Sequence, residues 1–131
     1  MRTILITGAS GGLAQEMIKL LQDNQLILLG RNKEKLAQLY GNHSHTELVE
    51  IDITDDQALE TLVTDLYLRY GKIDVLINNA GYGIFEDFDR ISDKDIHQMF
   101  EVNTFALMNL SRRIGCRMKE SRKGHIINIV S

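Results

Sequence analysis

The chain has 131 residues, is 44 % hydrophobic and carries a formal net charge of −3 with acids and bases interspersed. That length holds one domain or part of one, with enough apolar residues for a core. No basic stripe points to nucleic acid, and no apolar run approaches the ~18 residues of a membrane span. Cys116 is the single cysteine, so no internal disulfide forms. The apolar N-terminus breaks at Gly8, too early for a secretory leader, and a reduced, cytoplasmic setting fits both facts.

In chain order, short apolar runs alternate with amphipathic stretches. Residues 3–7 (TILIT) read as a strand and 12–22 as a helix with Leu13, Met17, Leu20 and Leu21 on one face. Residues 25–29 (QLILL) read as a second strand, followed by a helix over 32–40 with Asn32 as N-cap. A third strand is expected over 47–53. Thr54-Asp55-Asp56-Gln57 is a capping-box pattern, and Leu59, Leu62, Val63, Leu66 and Tyr70 follow at helical spacing until Gly71. Residues 73–77 read as a fourth strand, and Ser92 opens a long helical stretch to about residue 120. Ile126, Ile127, Ile129 and Val130 make a fifth, β-branched strand. This alternation predicts an α/β fold, a doubly wound parallel sheet of the Rossmann type, as one domain over 1–131.

Four features carry chemistry. Between the first strand and the first helix stands Thr7-Gly8-Ala9-Ser10-Gly11-Gly12-Leu13-Ala14. Glycines there let the backbone turn tightly and approach a phosphate, and the helix N-terminus offers N–H groups and positive potential. The plainer alternative is a tight βα turn in an α/β protein that binds no nucleotide. After the second strand comes Gly30-Arg31, where many NAD-binding folds place an acid for the ribose 2′-hydroxyl. Gly30 removes that carboxylate and Arg31 offers donors to a 2′-phosphate, which favours NADP over NAD, although Arg31 would also suit a solvated helix start. Asn78-Asn79-Ala80-Gly81 follows the fourth strand and leaves room for a flat ligand. Asn103 falls on the apolar stripe of Ile96, Phe100, Leu107, Leu110 and Ile114, where a buried amide needs partners.

Together these residues resemble the short-chain dehydrogenase/reductase family. Thr7-Gly8-x-x-x-Gly12-x-Ala14 is similar to its cofactor motif, Asp52 to its adenine-contacting Asp, and Asn78-Asn79-Ala80-Gly81 to its Asn-Asn-Ala-Gly motif. Asn103 matches the helix asparagine of its catalytic tetrad, and 124–131 (GHIINIVS) its fifth strand, which ends in the catalytic serine, here Ser131. The resemblance implies hydride transfer between a nicotinamide, NADP(H) favoured and NAD(H) the alternative, and a small carbonyl or alcohol. Implied cofactor contacts are Thr7, Gly8, Ser10, Gly11, Gly12, Leu13, Arg31, Asp52, Ile53, Asn79, Ala80 and Gly81; implied catalytic residues are Ser131 and Asn103, with no metal. It also implies a homodimer or homotetramer through the long helix, whose second apolar face is Val102, Phe105 and Met108.

Ala14 replaces the motif's last glycine, and Gly11 stands where many NADP-preferring members carry a second basic residue. The family's Tyr-x-x-x-Lys acid/base pair is expected about a dozen residues after Ser131. Tyr40, Tyr67, Tyr70 and Tyr82 all precede that serine, and none has Lys four residues on. The expectation is therefore that these residues belong to a longer reductase whose last two strands follow. The alternative is a non-catalytic nucleotide-binding module. His43 and His45 with Glu47 read as a solvated loop rather than a metal site, and Glu86, Asp87 and Asp89 as a polar loop or pocket rim. Arg112, Arg113 and 117–123 read as a solvated helix end.

Overall fold

A computed structural model describes residues 1–81 and 88–129 of the chain. Five strands form one parallel sheet: β1 (Thr3–Ile6), β2 (Gln25–Gly30), β3 (Thr46–Glu50), β4 (Val75–Asn78) and β5 (His125–Asn128), in the order β3-β2-β1-β4-β5. The helices are α1 (Gly12–Leu20), α2 (Lys33–Tyr40), α3 (Asp56–Tyr70), α4 (Asp93–Phe100) and α5 (Ala106–Ser121). The strand order reverses between β1 and β4. That is where an open α/β sheet leaves a crevice at the strands' carboxyl ends.

Alternation along the strands splits the core into two layers. Leu5, Ile27, Leu29 and Leu76 face α3 and α5, meeting Leu59, Leu66, Leu110 and Ile114. Ile4, Ile6, Leu26, Leu28, Val75 and Ile77 face α1 and α2, meeting Ala14, Ile18, Leu36 and Tyr40. Strands buried on both faces read as continuous apolar runs, which is why TILI and LILL stood out in the sequence. β5 pairs with β4 and forms the sheet edge, with Ile126, Ile127 and Ile129 exposed.

The local signals hold with shifts. Asn32 caps α2 by accepting from the Lys35 N–H at 3.1 Å, and Gly71 ends α3 with φ +77°. The capping box does not form as the pattern suggests: Asp55, not Thr54, is the cap, accepting from the Ala58 N–H at 3.1 Å. Thr54 is taken instead by Asp52, whose Oδ1 accepts its N–H (3.0 Å) and its hydroxyl (2.7 Å). This Asx turn peels the chain off the sheet and ends β3 at Glu50 rather than at residue 53. In α1 the buried residues are Ala14 and Ile18, whereas Leu13 and Leu20 point outward: the small Ala14 lets the helix approach the sheet on that side.

The long helical stretch is interrupted. Between α4 and α5, Glu101–Phe105 forms a π-helical turn. Such a turn inserts a residue and rotates the faces on either side out of line. The stripe expected from Ile96 to Ile114 is therefore not one face. Ile96 and Phe100 are exposed, and the buried line runs through Val102, Ala106, Leu110, Ile114 and Met118. Asn103 lies in the π turn and is exposed, not buried. Val102 joins the core, leaving Phe105 and Met108 of the expected outer face exposed. Among the described residues no helix is long and apolar enough to cross a membrane.

Candidate functional site

The crevice at the switch point is built around the glycine turn. Gly8 adopts φ +62°, a left-handed conformation that favours glycine. A Cβ there would sit 2.7 Å from Ala80 Cα, so only glycine lets the β1 turn and the β4 loop lie against each other. Three further bonds hold them. Thr7 Oγ1 accepts from the N–H groups of Asn79 (3.0 Å) and Ala80 (2.9 Å), and Asn79 Nδ2 donates to Gly8 O at 3.1 Å. Thr7 and Asn79 thus shape the crevice from behind.

The other attachments of the turn come from β2 and α2. Ala9 N–H donates to Leu29 O at 3.0 Å, and the phenol of Tyr40 donates to Ala9 O at 2.5 Å. Tyr40 is 4 % exposed, and its burial pushes the hydroxyl's pKa up, so it remains a donor. Past the turn, α1 begins at Gly12 with no side chain capping it. Its first N–H groups have no intrahelical acceptor, which suits an anion.

A cavity of about 430 Å³ opens beside this turn. Gly8 and Ser10 of the glycine turn, Ala80 and Gly81 of the β4 loop, Asp52 and Ile53 after β3, and Arg31 after β2 all line it. Seven of the residues expected to hold a dinucleotide therefore share one cavity. Gly11, Gly12 and Leu13 lie outside its wall, at the N-terminus of α1. The sequence reading missed Leu29, Asn32, Lys35, Ile51 and Val102 as cavity residues. Lys35 was within reach of it, as a basic residue four positions after Arg31 in the first turn of α2.

Among the described residues Asp52 is the cavity's single acid, held below the usual carboxylate range by the Thr54 hydroxyl, then by the Thr54 N–H, with Arg31's charge adding to both. Gly30 has a packing role as well: a Cβ there would lie 3.1 Å from the Leu36 methyls. On the far side, Asn103 Oδ1 would be 2.9 Å from a Cβ on Gly81, so its amide lies over the Asn-Asn-Ala-Gly loop.

Asn78, 3 % exposed, ties that loop to the last strand. Its Nδ2 donates to Asn128 Oδ1 and to Ser111 Oγ, both at 2.9 Å. The parallel register sets Asn78 opposite Asn128, so a polar pair spans β4 and β5 at their carboxyl ends. Ser131, together with Tyr82, Glu86, Asp87 and Val130, lies outside the described residues.

The sequence is 32 % identical over 124 residues to an uncharacterized oxidoreductase of Schizosaccharomyces pombe, covering 93 % of this chain and 41 % of that protein. It is 30 % identical over 132 residues to the NADP-dependent 3-hydroxy acid dehydrogenase of Shigella flexneri, covering 98 % of this chain and 53 % of that one. Among solved structures, serine dehydrogenase from Escherichia coli matches with a TM-score of 0.90 at 28 % identity, over 98 % of this chain and 62 % of that one. The chain thus spans about half the length of the curated relatives it matches. The family model for short chain dehydrogenases matches residues 2–131, the whole of the sheet just described, and the chain belongs to that family.

Proposed function

We propose that these residues form the dinucleotide-binding part of an NAD(P)-dependent oxidoreductase, acting on a small carbonyl or alcohol and preferring NADP(H). The observation that carries this reading is the cavity at the switch point, where Gly8 backbone faces Ala80 and Arg31 stands at the end that meets an adenosine ribose in such folds. The fit is specific. Gly8 and Gly81 let the turn, the β4 loop and Asn103 pack where a Cβ would clash, and the last residue of β2 is Gly30 rather than an acid that would repel a 2′-phosphate.

In this reading the N-terminus of α1, with Gly11, Gly12 and Leu13, binds the pyrophosphate. Asp52 and Ile53 hold the adenine, Arg31 the 2′-phosphate, and Ala80 and Gly81 the far ribose, with Ser10 at the turn. Thr7 and Asn79 orient the loop. The nicotinamide supplies or accepts the hydride. The protein's part is to orient the partners and place donors where negative charge develops on the substrate oxygen. Ser131, following the β5 strand that Asn128 anchors, is assigned that donor role, and Asn103, over Gly81, the ordering of the polar side of the site. The relative from Shigella flexneri, named for NADP and 3-hydroxy acids, supports both the cofactor preference and the substrate class. Exposed Phe105 and Met108 support pairing with a second copy through α5, and the cytoplasm is the proposed location.

Fluorescence titration of the purified protein with NADPH and NADH tests the assignment. Tighter binding of NADPH, lost on Arg31→Ala with NADH unchanged, is the expected result. Equal affinities, or an Arg31→Ala protein that still prefers NADPH, overturns the preference.

A further inference from the structure

We propose that the Tyr40 hydroxyl is a positioning group for the bound dinucleotide: by holding the Ala9 carbonyl, it turns the Ser10 N–H outward as a donor to a phosphate oxygen. The proposal rests on the dinucleotide reading above and adds to it a residue that does not itself line the cavity. The Ala9–Ser10 peptide is trans, so its C=O and its N–H point in opposite directions. The C=O points at the Tyr40 hydroxyl, 2.5 Å away, and the Ser10 N–H therefore points away from it. Ser10 lines the cavity.

The rest of this stretch is already bonded. Ala9 N–H donates to Leu29 O at 3.0 Å and Gly11 N–H to Gly8 O at 3.2 Å. Ser10 O accepts from Gln15 Nε2 at 3.1 Å, and Gly11 O from the Gln15 N–H at 3.0 Å. From Ala9 to Gly11, the Ser10 N–H is the one backbone group with no partner among the described residues. A backbone donor left open on a cavity wall is a place for an acceptor from outside the chain. Its direction depends on Tyr40. Ala9 is fully buried, so its carbonyl needs a partner inside the protein. Without the hydroxyl, rotation of the Ala9–Ser10 peptide meets that need by showing the C=O to the cavity and withdrawing the N–H. An oxygen there repels the phosphate that the N–H binds. Tyr40 is itself held in place. It is 4 % exposed, the His43 ring stands edge-on to it at 5.5 Å, and the His43 N–H donates to Tyr40 O at 3.0 Å.

The experiment is titration with NADPH and with NADH of wild type, Tyr40→Phe and Gly71→Ala, with the Ser10 amide followed by proton–nitrogen correlation NMR. Tyr40→Phe deletes only the hydroxyl. Gly71 lies outside the cavity, so Gly71→Ala is the control for lost stability alone. The expected result is binding weaker by about 3–10-fold in Tyr40→Phe and unchanged in Gly71→Ala. Equal loss with both cofactors places the bound oxygen on the shared pyrophosphate; loss with NADPH alone places it on the 2′-phosphate. In wild type the Ser10 amide proton moves downfield on adding NADPH, and in Tyr40→Phe it moves much less. Wild-type affinities in Tyr40→Phe leave Tyr40 a structural role only and overturn the proposal, as does an equal loss in Gly71→Ala. A Ser10 amide that stays put when NADPH binds wild type also overturns it, whatever the variants do. A wild type that binds neither cofactor removes the dinucleotide reading itself.

Discussion

The phenol of Tyr40, in the last residue of α2, donates a 2.5 Å hydrogen bond to the carbonyl of Ala9, in the middle of the glycine turn and 31 residues earlier in the chain. Both residues are buried, so no water replaces the bond when it is lost. Tyr40→Phe keeps the ring among its neighbours and strands the Ala9 carbonyl. A loss of about 1–3 kcal/mol follows, read as a lower urea midpoint at unchanged slope. A variant as stable as wild type would show that the Tyr40 bond adds nothing to the Ala9–Leu29 bond and the Thr7 and Asn79 bonds that also hold the turn.

Gly8 and Gly71 both have positive φ, but their surroundings differ. A Cβ on Gly71 meets nothing within 4 Å, whereas one on Gly8 strikes the backbone of Ala80. Gly71→Ala is expected to cost about 1 kcal/mol, the strain of a left-handed alanine. Gly8→Ala adds an overpacking penalty of about 1–3 kcal/mol to the same strain. Thermal melts of the two variants side by side separate conformation from contact.

Gly12 poses the opposite test. It opens α1, and a Cβ there meets no protein atom within 4 Å. Alanine is the better helix former by about 1 kcal/mol in a helix interior, so Gly12→Ala should melt at or above the wild-type temperature. In the dinucleotide reading the pyrophosphate lies against this helix N-terminus, where an added methyl group crowds it. NADPH binding is therefore expected to weaken by at least about tenfold, roughly 1.4 kcal/mol. Wild-type affinity in this variant would move the pyrophosphate away from α1.

Glu47 on β3 is gripped by Arg69 of α3 through two bonds of 2.7 and 2.6 Å, and accepts a third from the Tyr70 hydroxyl. The Arg69 hydrogen bonds hold its carboxyl below the usual carboxylate range, against the effect of burial. A depressed folded pKa means the ion pair stabilises the protein above the unfolded value, near 4.3, and that this stability is lost as pH falls through that value toward the folded one. Arg69 is 44 % exposed, which keeps the contribution modest. Glu47→Gln should thus melt lower than wild type at pH 7. The gap should close as pH is lowered toward 3. A gap that is constant with pH would mean the pair contributes packing rather than charge.

Much of this molecule was legible in its sequence because the signals were local. The apolar runs of β1, β2 and β4, separated by helical periods, point to a parallel sheet, since strands covered on both faces need apolar residues at every position. The glycine turn, the Asn32 cap and the Gly71 stop each depend on a few consecutive residues, and each formed where the sequence placed it. The periodicity argument failed at Asn103. A π turn of five residues broke the helical phase, and no propensity rule marks where a helix takes in an extra residue.

Tertiary structure alone decided what lies far apart in the chain and close in space. That Asn78 bonds Asn128 follows from the β4–β5 register, and that Tyr40 reaches Ala9 follows from how α2 packs on β1 and β2. That Lys35 shares a cavity wall with Asp52 and Gly81 follows from where three strands end on one edge of the sheet. The residue types in the sequence set the chemistry available. Their convergence required the packed sheet, because only burial of its two apolar faces brings the carboxyl ends of β1, β2, β3 and β4 to a single crevice.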